Sequence, residues 1–161
     1  MQAGEPGARW HTGITDQPLS LDDAAAFVAD RRAGATVTFT GVVRDHAHDD
    51  ETEALDPASG APARPVTGLD YEAYTEVAEQ RLAELAAEVS AKWPDLLAGW
   101  AVHRVGQLLV GDTAVVVAVS SPHRDTAFEA GRHMIDTLKA TVPIWKREHW
   151  ADGGSHWPGT D

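Results

Sequence analysis

Apolar residues recur along this chain in two rhythms, one near every 3.6 residues and one at every second residue, and the switches between them mark out its elements. Residues 1–18 carry neither rhythm clearly and read as a loose arm or an edge strand. Ser20-Leu-Asp-Asp23 then opens a helix, with Ser20 as its cap and the two acids on the positively polarised first turn. Ala24-Ala-Ala-Phe-Val28 continues it, and Gly34 is the expected stop, being suited to a left-handed C-terminal turn. Thr36-Val-Thr-Phe-Thr-Gly-Val-Val43 alternates as a strand, with Val37, Phe39 and Val43 on one face and the threonines on the other.

From Asp45 to Thr67 the chain is rich in His, Asp, Glu, Pro, Ala and Gly without period, which predicts a long mobile acidic loop over 45–67. Leu69-Asp-Tyr-Glu-Ala-Tyr74 alternates again, and Thr75 is placed to cap a helix whose Ala78, Leu82, Leu85, Val89 and Trp93 fall on one face before Pro94 ends it. Two strands follow, Gly99–Val105 and Thr113–Val119, with turn signals bounding the intervening Gly106–Asp112. The second is apolar almost throughout, as a central strand covered on both faces should be. A last helix is expected from Pro122 to Val142, ended by Pro143, with a C-terminal tail over 150–161. This order predicts a single α+β domain over residues 1–161, with helices packed on a mostly antiparallel sheet.

Composition narrows the function. A chain of 161 residues with 43% hydrophobic content is the size of one domain with a sizeable core. Its net charge of −12 disfavours nucleic acid and anionic membranes as partners, so an anionic ligand must find a local basic pocket. With no cysteine there is no disulfide, thiolate ligand or thiol nucleophile, and an enzyme moving sulfur would have to receive it from elsewhere. No long apolar run or secretory pattern is present, so a cytoplasmic location is expected. Neither GxGxxG nor GxxxxGK[ST] occurs, which removes NAD and ATP as first choices, and no cofactor is expected. His46-Ala-His48-Asp-Asp50 resembles a metal-binding string, but it lies in the acidic loop without a rigid surround, and no metal site is expected. Trp150 and Trp157 in the tail are candidates to cover a partner's surface.

Lysine usage points to chemistry. There are three lysines against ten arginines, and two of the three are seven apart in Lys139-Ala-Thr-Val-Pro-Ile-Trp-Lys146. Arg keeps its proton near neutral pH, whereas a desolvated Lys can release one, so the pair suits proton transfer. It fits two snorkelling surface lysines equally well. With Phe128 set at zero and 100° per residue, Gly131, Ile135, Leu138 and Val142 of the last helix lie between about −80° and 0°, and Lys139 at about +20°. That places the Lys139 amine at the edge of the core, with Thr137 marking the solvent side. Lys146 shares a side with Ile144 in an extended segment, although neighbouring Arg147 and Glu148 fit an ordinary wet edge too. Ser120-Ser-Pro-His-Arg-Asp125 reads as a serine-capped helix start whose free amides, with His123 and Arg124, make a plausible anion site. His103-Arg104 and Arg44 end two strands, and all these groups meet if those ends share one rim; each Arg alone also fits a structural ion pair.

Phe39-Thr-Gly-Val-Val-Arg44, Leu69–Tyr74, His103-Arg-Val-Gly106, Ser121-Pro-His-Arg124 with Ala127-Phe128, and above all Lys139–Lys146 with Pro-Ile-Trp before the second lysine, resemble the catalytic (large) subunit of molybdopterin synthase. The likeness covers about residues 35–150. It implies an α/β hammerhead-like fold and a sulfurtransferase of molybdenum cofactor biosynthesis. Such an enzyme takes sulfur from the C-terminal Gly-Gly thiocarboxylate of a small ubiquitin-like carrier and puts two sulfurs into cyclic pyranopterin monophosphate, yielding the molybdopterin dithiolene. It also implies a heterotetramer, a central homodimer of large subunits with a carrier at each end. By position, the resemblance makes Lys139 catalytic, Lys146 its partner, Arg44, His123 and Arg124 the holders of the pterin phosphate, and Phe39 a pocket wall. His103 and Arg104 are further candidates. The stretch from His48 to Pro65 is longer and more acidic than that family's pattern. Two other classes stay open: a non-catalytic module that captures the tail of a ubiquitin-like protein, and a phosphate-ester hydrolase using the arginines with a loop-bound metal.

Overall fold

The run Ala114–Val119 is apolar at every position, so it is stable only with cover on both faces. The computed structural model describes residues 7–47, 64–151 and 155–156. In chain order its elements are β1 (Arg9–Thr15), α1 (Leu21–Val28), β2 (Ala35–Val42), β3 (His46–Ala47), β4 (Arg64–Ala73), α2 (Thr75–Lys92), β5 (Ala98–Arg104), β6 (Gly106–Leu109), β7 (Thr113–Ser121), α3 (Arg124–Thr141), β8 (Ile144–Trp150) and β9 (Ser155–His156). The first sheet has the order β1-β5-β7-β2, with β1 parallel to β5 and the other pairs antiparallel. Val115, Val117 and Val119 of β7 enter the main core with Leu82, Leu85 and Val89 of α2 and Met134, Ile135 and Leu138 of α3. Val116 and Ala118 face the other way, onto Ala24 and Val28 of α1. The expected doubly covered central strand is therefore present, within the expected α+β, mostly antiparallel arrangement.

The second sheet runs β3-β4-β8-β9, with β6 also paired to β4. Gly106, at φ +97°, lets the chain leave β5 for this sheet, and Gly111, at φ +92°, turns it back toward β7. Leu69, Leu108, Val66, Val43 and Ala114 fill a second, smaller core beneath it. The two sheets touch where the buried His103 of β5 meets the Tyr71 ring of β4 edge-on, at 4.8 Å between centroids.

Several boundaries differ from the sequence expectation, each for a tertiary reason. The helix capped by Ser20 ends at Val28 rather than near Gly34, because Arg9 of β1 donates to the carbonyls of Phe27 (3.0 Å) and Ala29 (2.7 Å) and so satisfies its C-terminal acceptors. Gly34 instead leads into β2, where a Cβ would run into the Pro122 carbonyl oxygen. A bulge between Gly41 and Val42 breaks the alternation of β2, so Val43 joins the second core rather than sharing a face with Val37. The ends of the expected 45–67 loop are strands: β3 pairs with β4, and β4 begins at Arg64 because β8 and β3 supply partners that local sequence does not reveal. Residues 48–63 lie outside the described residues, as do residues 152–154 and 157–161 of the tail, whose Ser155 and His156 pair with β8. Gly106–Leu109, within the stretch bounded by turn signals and given no element of its own, is a short strand with Leu108 fully buried. The last helix starts at Arg124 with His123 at its cap, not at a serine, and Ser121 Oγ donates to the His123 carbonyl at 2.5 Å.

His103 makes stability pH-dependent. Burial first, and the nearby Lys139 charge as well, push its imidazole down from 6.5 to about 4, against a raising contribution from its bond to the Arg104 carbonyl. Between those two values the unfolded chain holds a proton that the folded chain refuses, so stability is full above pH 6.5 and declines as pH falls toward 4. A His103→Gln chain should show a flatter stability profile over that window than the parent in urea titrations at stepped pH. Gly34→Ala should cost about 1–3 kcal/mol, because the opposing atom is a backbone oxygen that cannot swing aside, and a lowered urea midpoint will register it.

Candidate functional site

The chemistry-bearing groups gather where the C-terminal end of α3 meets the junction of the two sheets. In β8, alternation sets Ile144, Lys146 and Glu148 on one side, and register puts Lys146 opposite Tyr71 and Glu148 opposite Leu69. Glu148 is only 3% exposed, and Lys146 Nζ lies 3.2 Å from its Oε1, so a half-exposed amine neutralises a buried carboxylate. A buried carboxylate without such a partner would be costly, which ties the position of Lys146 to the core. Tyr71 stands between this pair and His103, within the fields of Glu148 and of Arg44 just beyond β2. His103 Nδ1 donates to the Arg104 carbonyl at 2.7 Å, which leaves Nε2 as an acceptor in the neutral ring. Lys139, in the last turn of α3, is close enough for its charge to act on that ring.

This end of the molecule therefore brings together Lys139, Lys146, Arg44 and His103. Lys139 departs from the expected placement: it is exposed, not at the edge of the core. The buried stripe of α3 is Ala127, Ala130, Gly131, Met134, Ile135 and Leu138, and Phe128, at the edge of the expected stripe, is 63% exposed. Thr137, expected on the solvent side, is half-buried. The buried face is turned by roughly 50° from the expected one, toward Ala130 and Met134. Phe39 is likewise 37% exposed on β2.

His123 and Arg124 are not at this end. They lie at the start of α3, in a recess of about 390 Å³ lined also by Gly34, Pro122 and Asp125. No side chain caps this helix start, which leaves its first amides beside the Arg124 guanidinium and the His123 ring, an arrangement fit for an anion. Arg124 opens α3 and Lys139 is in its last turn, so roughly 22 Å of helix separates them in one chain. Arg104 turns to Asp112, 3.8 Å away, and Asp112 in turn accepts from the Leu109 amide at 2.9 Å, which holds the β6–β7 turn. His46 of the metal-like string pairs with Asp45 at 2.9 Å, while His48, Asp49 and Asp50 lie outside the described residues.

Two members of the site escaped the reading of the sequence, Tyr71 and Glu148. Period-two alternation already sets Glu148 on the Lys146 side, a signal that was available. For Tyr71 no local signal exists, because its neighbours come from β5, β6 and β8.

A family model described as MoaE protein matches residues 14–141. A molybdopterin synthase catalytic subunit from Nostoc sp. is 40% identical over 144 residues, covering 89% of this chain and 79% of that protein. The X-ray crystal structure of molybdopterin synthase from Staphylococcus aureus shares the fold at a TM-score of 0.78 and 37% identity, covering 91% of this chain and 96% of that one. A protein–protein complex of subunits 1 and 2 of the molybdopterin-converting factor from Helicobacter pylori matches at a TM-score of 0.64 over 92% of this chain and 90% of that one, and at 17% identity that likeness is one of fold alone. Since the family model spans most of the chain and the Nostoc relative shares two residues in five with it, this chain belongs to the MoaE family.

Proposed function

We propose that this chain is the catalytic subunit of a molybdopterin synthase, moving sulfur from the C-terminal thiocarboxylate of a small ubiquitin-like carrier onto cyclic pyranopterin monophosphate. The observation that carries this reading is the meeting of Lys139, Lys146 and Arg44 around one tyrosine–histidine contact in a chain without a single cysteine. An extended C-terminal tail suits that place, with Lys139 and Lys146 flanking its terminal acyl group and the half-exposed Phe39 contributing apolar wall. Lys139 serves as the amine that relays protons as sulfur attacks the pterin and as the acyl link is later hydrolysed. Its exposure in the single chain leaves it open to an incoming tail, and arrival of that tail removes water from around it.

The anion recess at His123 and Arg124 suits the pterin phosphate, and its distance from Lys139 has a consequence. A small pterin phosphate cannot reach across roughly 22 Å of helix to a lysine in the same chain. In a homodimer, the α3 start of one copy can complete the lysine end of the other, so the proposed assembly is a pair of these chains with a carrier on each. The relatives named as catalytic subunits are consistent with a partner subunit of this kind. A cytoplasmic setting follows from the same reading, and among the described residues no helix is long and apolar enough to cross a membrane.

Lys139→Ala should lower dithiolene formation from thiocarboxylated carrier and pterin precursor by about a hundredfold or more, while the fold and carrier binding persist because the side chain is exposed. Unchanged product formation would remove the mechanism, and a chain that only captures the tail would show no product even as the parent. Mixing Arg124→Ala and Lys139→Ala chains tests the shared site: random pairing should restore roughly a quarter of parental turnover, since each mixed dimer keeps one intact site. No recovery on mixing would mean that each chain builds its site alone.

A further inference from the structure

Tyr71 holds a central place in the site and has no assigned role. Its backbone pairs with Lys146 on one side and with Gly106, which brings no side chain, on the other, and Tyr71 packs at the margin of the small core that holds Leu108 of β6. The ring lies edge-on to His103, on which the Lys139 charge acts, and Lys146 is the cross-strand neighbour of Tyr71. Among the described residues its hydroxyl makes no hydrogen bond, although the side chain is half-buried. With no protein acceptor engaged, the phenolic O–H is available to a ligand. Burial and the Glu148 carboxylate both raise its pKa, outweighing the pull of Arg44, so the group is held as an O–H donor rather than a phenolate.

We propose that Tyr71 is a further catalytic residue, donating a hydrogen bond to the acyl oxygen of the carrier's terminal group where that group lies between Lys139 and Lys146. This rests on the sulfur-transfer reading above. In the hydrolytic half of that reaction, the oxygen of water bonds to the acyl carbon and the carbon–sulfur bond breaks. Sulfur departs on the pterin with the bonding electrons, the tail leaves as a carboxylate, and the protons of water pass to the sulfur and to the Lys139 amine. Negative charge collects on the acyl oxygen as water adds, and a fixed O–H donor aimed at it stabilises that state. The acyl oxygen is the fitting acceptor, rather than the pterin phosphate, because the anion recess is at the far end of α3 while Tyr71 pairs with Lys146 and touches the His103 ring on which the Lys139 charge acts.

Tyr71→Phe keeps the ring on His103 and removes only the hydroxyl. With full-length chain, thiocarboxylated carrier and pterin precursor, its maximal rate of dithiolene formation should fall roughly 10- to 100-fold. The KM for the precursor, carrier affinity and urea midpoint should stay at parental values. A maximal rate within about twofold of the parent overturns the inference. So does a raised precursor KM at an undiminished maximal rate, which would place the hydroxyl on the pterin, or a urea midpoint that falls along with the rate, which would make its role one of packing. The parent assayed alongside separates the two levels: an inert parent overturns the sulfur-transfer reading and this inference with it, whereas an active parent beside an equally active Tyr71→Phe chain overturns this inference alone.

Discussion

Burial of β7 on both faces organises the molecule. Five consecutive positions, Val115 to Val119, alternate between a core built with α2 and α3 and a smaller one built with α1, so the strand is held in a single register against its neighbours. A slip of one residue would exchange every side chain between the two cores. From that register the functional geometry follows. The end of β7 delivers the chain to the His123–Arg124 recess, and its beginning lies beside His103, where Lys139 arrives at the close of α3.

The two sheets contribute differently. The first, tightly packed, sets positions, whereas the second carries polar groups on a partly wet face: Lys146 and Glu148 on one side of β8, Arg147 and His149 on the other. Asp70 receives both of the latter through Oδ2, at 2.9 Å from Arg147 and 2.7 Å from His149, and Arg147 above all holds its carboxyl below the usual range. The sheet is therefore braced by ionic pairs outside its core as well as by Leu69 and Leu108 within it. Such a layout suits a site that must stay open to a partner's tail, because its polar groups are positioned before the tail arrives and need little reordering.

The separation of the cationic groups along α3 is the feature that most changes the functional picture. Read along the chain, Arg124 and Lys139 belong to one helix and look like members of one site. The helix, however, is a rigid spacer, and its length sets them at opposite ends of the fold. On the roles proposed above, a pterin phosphate held at one end and a sulfur donor at the other meet only if a second copy brings complementary ends together.

Much of this was legible from local pattern. The Ser20 cap, the apolar face of α2 through Leu82, Leu85 and Val89, and the uninterrupted apolar run of β7 report local periodicity, and each occupies the expected element. The lysine pair and its Pro-Ile-Trp spacer carried the family resemblance. The exposure of Lys139 and Phe128 was not legible, since a helical wheel gives relative angles but not which angle faces the sheet. Strands β3 and β6 and the early start of β4 were hidden as well, because their hydrogen bonds go to residues distant in sequence and because Pro65 in β4 and Gly106 in β6 mimic a loop. Local order along a chain is governed by side-chain period, capping and turn chemistry, and these can be read from neighbours. Which groups end up in contact, as Tyr71 with His103 and Lys146 with Glu148, is governed by how whole elements pack, and that depends on residues far apart acting together.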